Sequence, residues 1–104
     1  MNPAVPYTLV WTETFVRTAR KFLRKHPDLN ETFRNVLERL ASDPTVPSLR
    51  LHALSGKLNG KQAVRLTHAY RIILVVLITD REIVLLDIGG HARADASNFL
   101  RDGR

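Results

Sequence analysis

Seven consecutive apolar residues, Ile72 to Ile78, are framed by Tyr70-Arg71 on one side and Thr79-Asp80 on the other. The run is far shorter than the roughly 20 residues needed to cross a bilayer. It has no polar face, so it belongs at the centre of a sheet, covered on both sides. Whatever surrounds it in the chain must supply flanking strands and a cover.

The preceding half supplies helices. Tyr7 to Trp11 is a short β-prone run, and Thr12 after it is placed to cap a helix running to about Lys25, with Phe15, Ala19, Phe22 and Leu23 at helical spacing. His26-Pro27 ends that helix. Asp28 then opens a second helix, expected over Asp28 to Ser42, with Glu31 completing a capping-box pattern and Leu29, Phe33, Val36, Leu37 and Leu40 as its apolar stripe. A link this short predicts a helical hairpin whose apolar side seeks a sheet. From Leu51 the period changes to strands: Ala63 to Thr67, Tyr70 to Ile78, and Arg81 to about His91, joined by short breaks into an antiparallel meander. Ala92 to Leu100 reads as a short closing helix. The expected order is β-α-α-β-β-β: an α+β domain with two N-terminal helices packed on an antiparallel sheet, one domain over residues 1–104.

Charge narrows the partner. The chain carries a net +6, and no acidic residue lies between Asp43 and Asp80, where Arg50, Lys57, Lys61, Arg65 and Arg71 occur with His52 and His68. Elsewhere acids and bases alternate, as at Arg34, Glu38 and Arg39. The unbalanced middle third points to a polyanion. The absence of cysteine excludes disulfides, thiolate metal sites and cysteine nucleophiles, and fits a reducing compartment. Met1 to Val10 has neither a basic n-region nor a long apolar run, so the expectation is a soluble cytoplasmic protein without metal or small-molecule cofactor.

Leu51-His-Ala-Leu-Ser-Gly-Lys-Leu, Ala63-Val-Arg-Leu, Ala69-Tyr-Arg-Ile and Leu86-Asp-Ile-Gly-Gly-His follow one another in this order. The pattern resembles the RelE/ParE superfamily, toxins of type II toxin–antitoxin systems. The resemblance spans nearly the whole chain and implies a microbial-RNase-like fold, a cognate antitoxin as partner, and messenger RNA on the ribosome as the target, cleaved without metal. The ParE branch shares the fold and poisons DNA gyrase instead, so fold alone leaves the activity open.

Metal-free RNA cleavage needs the ribose 2′-oxygen activated, the phosphorane charge stabilised and the 5′-oxygen protonated. Arg65 and Arg71 match basic positions of RNA-cleaving relatives, and planar guanidiniums suit phosphate. A two-residue turn would send them to opposite faces. A three-residue loop, Thr67 to Ala69, sets them directly opposite each other, and this register is the one we favour. The alternative has Arg65 solvated and Arg71 paired with Asp87. His91, after Gly89-Gly90, is the acid/base candidate, with Asp87 on its face by strand parity. Lys57, Lys61, His68 and Arg93 are candidate RNA contacts, the two lysines equally readable as solubilising loop residues. His52 ranks lower, as a loop histidine. Trp11, Phe15 and Phe22 read as core. The four residues after His91 are Ala92, Arg93, Ala94 and Asp95, where many RNA-cleaving relatives carry an aromatic side chain. Three functions remain: a ribosome-dependent endoribonuclease, a gyrase poison of the ParE kind, and a non-toxic basic RNA-binding domain.

Overall fold

A computed structural model describes residues 6–90. The elements in order are β1 (Thr8–Trp11), α1 (Glu13–Lys25), α2 (Asn30–Ser42), β2 (His52–Ala53), β3 (Gln62–Arg65), β4 (Tyr70–Leu77) and β5 (Glu82–Gly90), with 3-10 turns at Pro27–Leu29, Pro47–Leu49 and Gly56–Leu58. They form one five-stranded sheet, ordered β1-β5-β4-β3-β2, with the apolar strand β4 in the middle.

The α+β class and the two-helix cover are as expected, and the sheet differs in two details. It is mixed, because β1 lies parallel to β5, Thr8 beside Glu82 through Trp11 beside Leu85. A helical return permits a parallel pair, whereas the hairpin signals legible in a sequence are all antiparallel. The sheet also gains a strand, because His52-Ala53, expected in a loop, pairs with Ala63 and Gln62. The proposed closing helix at Ala92 to Leu100 lies outside the described residues.

Thr12 welds the first strand to the first helix. Its hydroxyl donates to the Leu85 carbonyl at 2.7 Å and accepts from the Phe15 amide at 3.1 Å, so one side chain ties β5 and caps α1. The second helix starts differently from the capping box expected at Asp28 and Glu31. Pro27, with its fixed φ, opens a 3-10 turn that runs directly into α2, and no side chain caps Leu29.

Phe15, Ala19 and Phe22 of α1 and Phe33, Val36, Leu37 and Leu40 of α2 meet Val64, Ile72, Leu74, Ile83, Leu85 and Ile88 on one face of the sheet. On the opposite face Leu54 and Leu58 cover Ile73 and Leu86. Positive φ angles at Gly56 (67°) and Gly60 (92°) let this covering segment turn back. The cover is short. Ile72, Ile73 and Leu74 are fully buried, but Val75 to Leu77 are only partly so and Ile78 is 70% exposed at the turn. The two-sided cover expected for the whole run therefore holds only for its first half, the part packed between the helices and the Leu54–Leu58 segment, and β3 likewise ends its pairing at Leu74. Beyond it the Gln62 Oε1 accepts from the Val76 amide at 2.9 Å, a side chain standing where a strand would be.

Strand β5 carries a bulge. Ile73 pairs with Asp87 and Leu74 with Leu85, which leaves Leu86 as an extra residue. Plain alternation from Ile83 and Leu85 would drive the Asp87 carboxylate into the core beneath the helices. The extra residue turns it to the opposite face instead, while Ile88 returns to the core. No described helix is long and apolar enough to cross a membrane.

Replacing Thr12 by Ala removes both the cap and the strand tie, and is expected to lower unfolding free energy by about 1 to 2 kcal/mol in a urea melt, with Thr12→Ser retaining most of it.

Candidate nucleic-acid interface

The β3–β4 hairpin closes with Thr67, His68 and Ala69. Amides of Leu66 and Thr67 donate to the Tyr70 carbonyl at 3.0 and 3.1 Å, and the Thr67 hydroxyl accepts from the Ala69 amide at 3.1 Å. This loop length pairs Arg65 directly with Arg71. Directly opposed side chains stand about 5 Å apart at Cβ, and like charges so placed repel by a few tenths to about 1 kcal/mol.

Tyr70 and Arg71 divide the work of one dipeptide. Tyr70 points to the helix side, where its ring meets Phe22 edge-on at 4.9 Å and His26 at 4.9 Å. Arg71 therefore points to the other face. It is 7% exposed, and burial holds its guanidinium below the ordinary arginine value while leaving it a cation at neutral pH. Asp87 lies diagonally across from it on that face, since Arg71 pairs with Gly89 and Ile73 with Asp87. Arg71 and Asp87 are the buried charged side chains among the described residues. One Asp87 oxygen accepts from the Ile88 amide at 2.8 Å.

Beside the arginine pair opens a cleft of about 500 Å³, lined by Arg50, Leu51, His52, Arg65, Thr67, His68 and Arg71. Among the described residues, no carboxylate lines it. The short strand β2 brings the Arg50–His52 segment alongside β3. Arg50 ends the 3-10 turn in the left-handed conformation, φ 52° and ψ 47°, which costs a residue with a Cβ roughly 1 to 2 kcal/mol. The His52 Nδ1 lies 2.8 Å from the Arg50 carbonyl. A carbonyl only accepts, so Nδ1 carries the hydrogen and Nε2 is the basic nitrogen. Three guanidiniums and two imidazoles thus converge on one concave surface, a composition suited to a phosphodiester. No group of three or more His, Asp or Glu able to hold a metal occurs among the described residues.

No family model and no curated protein matches the chain. Solved structures do. YafQ from E. coli strain BL21(DE3) superposes with a TM-score of 0.69 at 15% identity, covering 83% of this chain and 94% of that one. A YoeB/ParE toxin from Agrobacterium tumefaciens gives 0.67 at 18%, covering 81% and 98%. A chain of the E. coli DinJ–YafQ toxin–antitoxin complex gives 0.68 at 16%, covering 85% and 96%. The fold is that of the RelE/YoeB-like toxins.

On this toxin fold the residues singled out in the sequence fall into three groups. Arg65, Arg71 and His68 line the cleft together. Lys57 and Lys61 do not: Lys57 is exposed in the Gly56–Leu58 turn and Lys61 precedes β3. Arg65 lies four residue steps along the chain from Lys61, about 13 Å in extended backbone. His91 and Arg93 lie outside the described residues. Two further residues, Arg50 and His52, line the cleft with them. Arg50 carries no local sequence signal, since nothing in its neighbours announces a left-handed turn, and His52 read as a loop histidine until β2 placed it beside β3. Trp11, expected in the core, is 45% exposed, packing edge-on to Phe15 at 5.1 Å.

The like-charge pair makes a stability prediction of its own. Arg65→Gln should raise the unfolding free energy by a few tenths to about 1 kcal/mol at low salt, the gain shrinking as salt screens the repulsion. Matched denaturant melts at low and high ionic strength check it.

Proposed function

We propose that this chain is the toxin of a toxin–antitoxin pair and acts as a metal-independent, ribosome-dependent endoribonuclease on messenger RNA. The observation that carries this reading is the Arg65–Arg71 pair, two guanidiniums forced together beside a cleft that no carboxylate of the described residues lines. Arrangements of like charge are normally avoided across a sheet, and a bridging phosphate turns the repulsion into attraction.

The chemistry follows from that placement. A base takes the proton from the ribose 2′-hydroxyl, the oxygen attacks the adjacent phosphorus, and the 5′-oxygen leaves with a proton, giving a 2′,3′-cyclic phosphate and a free 5′-hydroxyl. Arg65 and Arg71 hold the phosphate and gain most as charge builds on the phosphorane. His91, which follows Gly89-Gly90 in the sequence, is assigned one proton-transfer step. His52, with Nε2 as its basic nitrogen, supplies the other. His68 and Thr67 contact the flanking backbone, Arg93 supports the leaving group, and Lys57 and Lys61 hold more distant phosphates.

A cognate antitoxin is the expected partner. YafQ is found in complex with DinJ, and this chain's net +6 favours an acidic segment that orders on binding. A groove of about 420 Å³ beside the edge strand β1, lined by Leu9, Trp11, Phe33 and Leu37 among others, offers such a segment an apolar anchor.

The test is induction in a host lacking the antitoxin, reading growth, messenger cleavage by primer extension and DNA supercoiling side by side. Cleavage with wild type is expected, Arg71→Ala slows it by about 10²-fold or more, and His91→Ala slows it by on the order of 10²- to 10⁴-fold. Growth arrest with intact messenger and altered supercoiling would transfer the chain to the gyrase-poison reading. A harmless protein that still binds RNA would be a simple binding module.

A further inference from the structure

A second cleft, of about 590 Å³, shares Arg50 and Arg65 with the first and runs from them toward α2. Its polar lining is Thr32, Asn35 and Arg39 from α2, with Ser48 from the Pro47–Leu49 turn. Thr32, Asn35 and Arg39 sit at helical spacings of three and four, so they form one stripe facing the cleft. Again no carboxylate among the described residues lines it, while Glu38 of the same helix lines the groove beside Trp11 instead.

Arg50 stands at the junction with an unfavourable backbone. The position closing the Pro47–Leu49 turn is left-handed, where glycine or asparagine fits without strain. The His52 ring holds the Arg50 carbonyl in that conformation. Strain of this kind at a concave polar surface is a pointer to function. What arginine supplies there and glycine does not is a guanidinium exposed to both clefts.

We infer that Arg50 bridges two phosphate subsites, and that a single RNA strand threads both clefts, with one phosphate at Arg65 and Arg71 and a neighbouring one at Arg39 and Arg50. Asn35, Thr32 and Ser48 then face the nucleotide between α2 and the turn, with amide and hydroxyl groups able to meet a base edge or a ribose hydroxyl. The inference rests on the RNA-cleaving reading for the first cleft and adds to it a second subsite on the helix side, which lengthens the footprint beyond the scissile dinucleotide.

The experiment uses the full chain and 2′-O-methyl RNA, in which the attacking oxygen is blocked, as a dinucleotide and as a hexanucleotide. Fluorescence anisotropy over a salt series gives affinity and slope. Wild type is expected to bind the hexamer more tightly and with a steeper slope. Arg39→Ala should lower the ratio of hexamer to dinucleotide affinity by about tenfold, the loss of one charge-assisted contact. Arg50→Gly should flatten the hexamer slope by about 0.7, one phosphate on a single strand, with a melting temperature unchanged or raised. If both variants leave ratio and slope as in wild type while Arg71→Ala still weakens binding, the second subsite is overturned and the first cleft stands alone. A lower melting temperature in Arg50→Gly, with slope intact, makes Arg50 a structural residue and also overturns it. Failure of wild type to bind either RNA removes the first-cleft reading together with the inference.

Discussion

Arg65 stands opposite Arg71 because Val64 and Ile72, one position along each strand, are fully buried beneath the helices and opposite each other. A slip of one residue would turn one strand over. A buried aliphatic side chain of this size contributes about 1.5 to 3 kcal/mol, and an arginine driven beneath the helices without compensation costs several kcal/mol more. Repulsion between two guanidiniums on the open side is at most about 1 kcal/mol. Core burial therefore decides the register, and the two cations are held together by hydrophobic forces acting on the other face of the same strands. The proposed grip on a phosphate would be a by-product of that arrangement, set before any ligand arrives.

The bulge in β5 plays the matching part on the far side of β4. By adding Leu86 to the strand it moves Asp87 out of the helix-side core and onto the face of Arg71 and Ile73. The cleft thus has a buried positive group with a buried negative group diagonal to it, beneath a more exposed layer of Arg50, His52 and His68. Such layering favours a fixed guanidinium at the bottom and adaptable contacts above. Tyr70 supports it from behind, because its ring is locked against Phe22 and His26 and the next residue has no choice of face.

Much of this was legible from the residues. Phe15, Ala19 and Phe22 lie at helical spacing, Thr12 caps, and Ile72 to Leu74 sit at the sheet centre, because periodicity and capping are local signals. The three-residue loop that opposes Arg65 and Arg71 was legible too, from parity and loop length. The parallel edge of β1 was not, since strand direction depends on a contact made across 73 residues between Thr12 and Leu85. The Asp87 bulge was hidden because a single unpaired residue leaves no mark in an apolar strand, and β2 because two residues are too few to show a period. Arg50 and Arg39 join the cleft region only through tertiary placement. In each case the missing information is a long-range pairing, whose energy comes from partners far away in the chain.

The central claim is that Arg65 and Arg71 grip one phosphate together. A nuclear magnetic resonance titration of the full chain with a 2′-O-methyl RNA dinucleotide, following the arginine Nε–H signals, addresses it directly. The account predicts that the Arg65 and Arg71 signals shift together along one binding curve. It is contradicted if the dinucleotide binds with both signals unmoved, the shifts falling on Lys57, Lys61 or other surface amides instead.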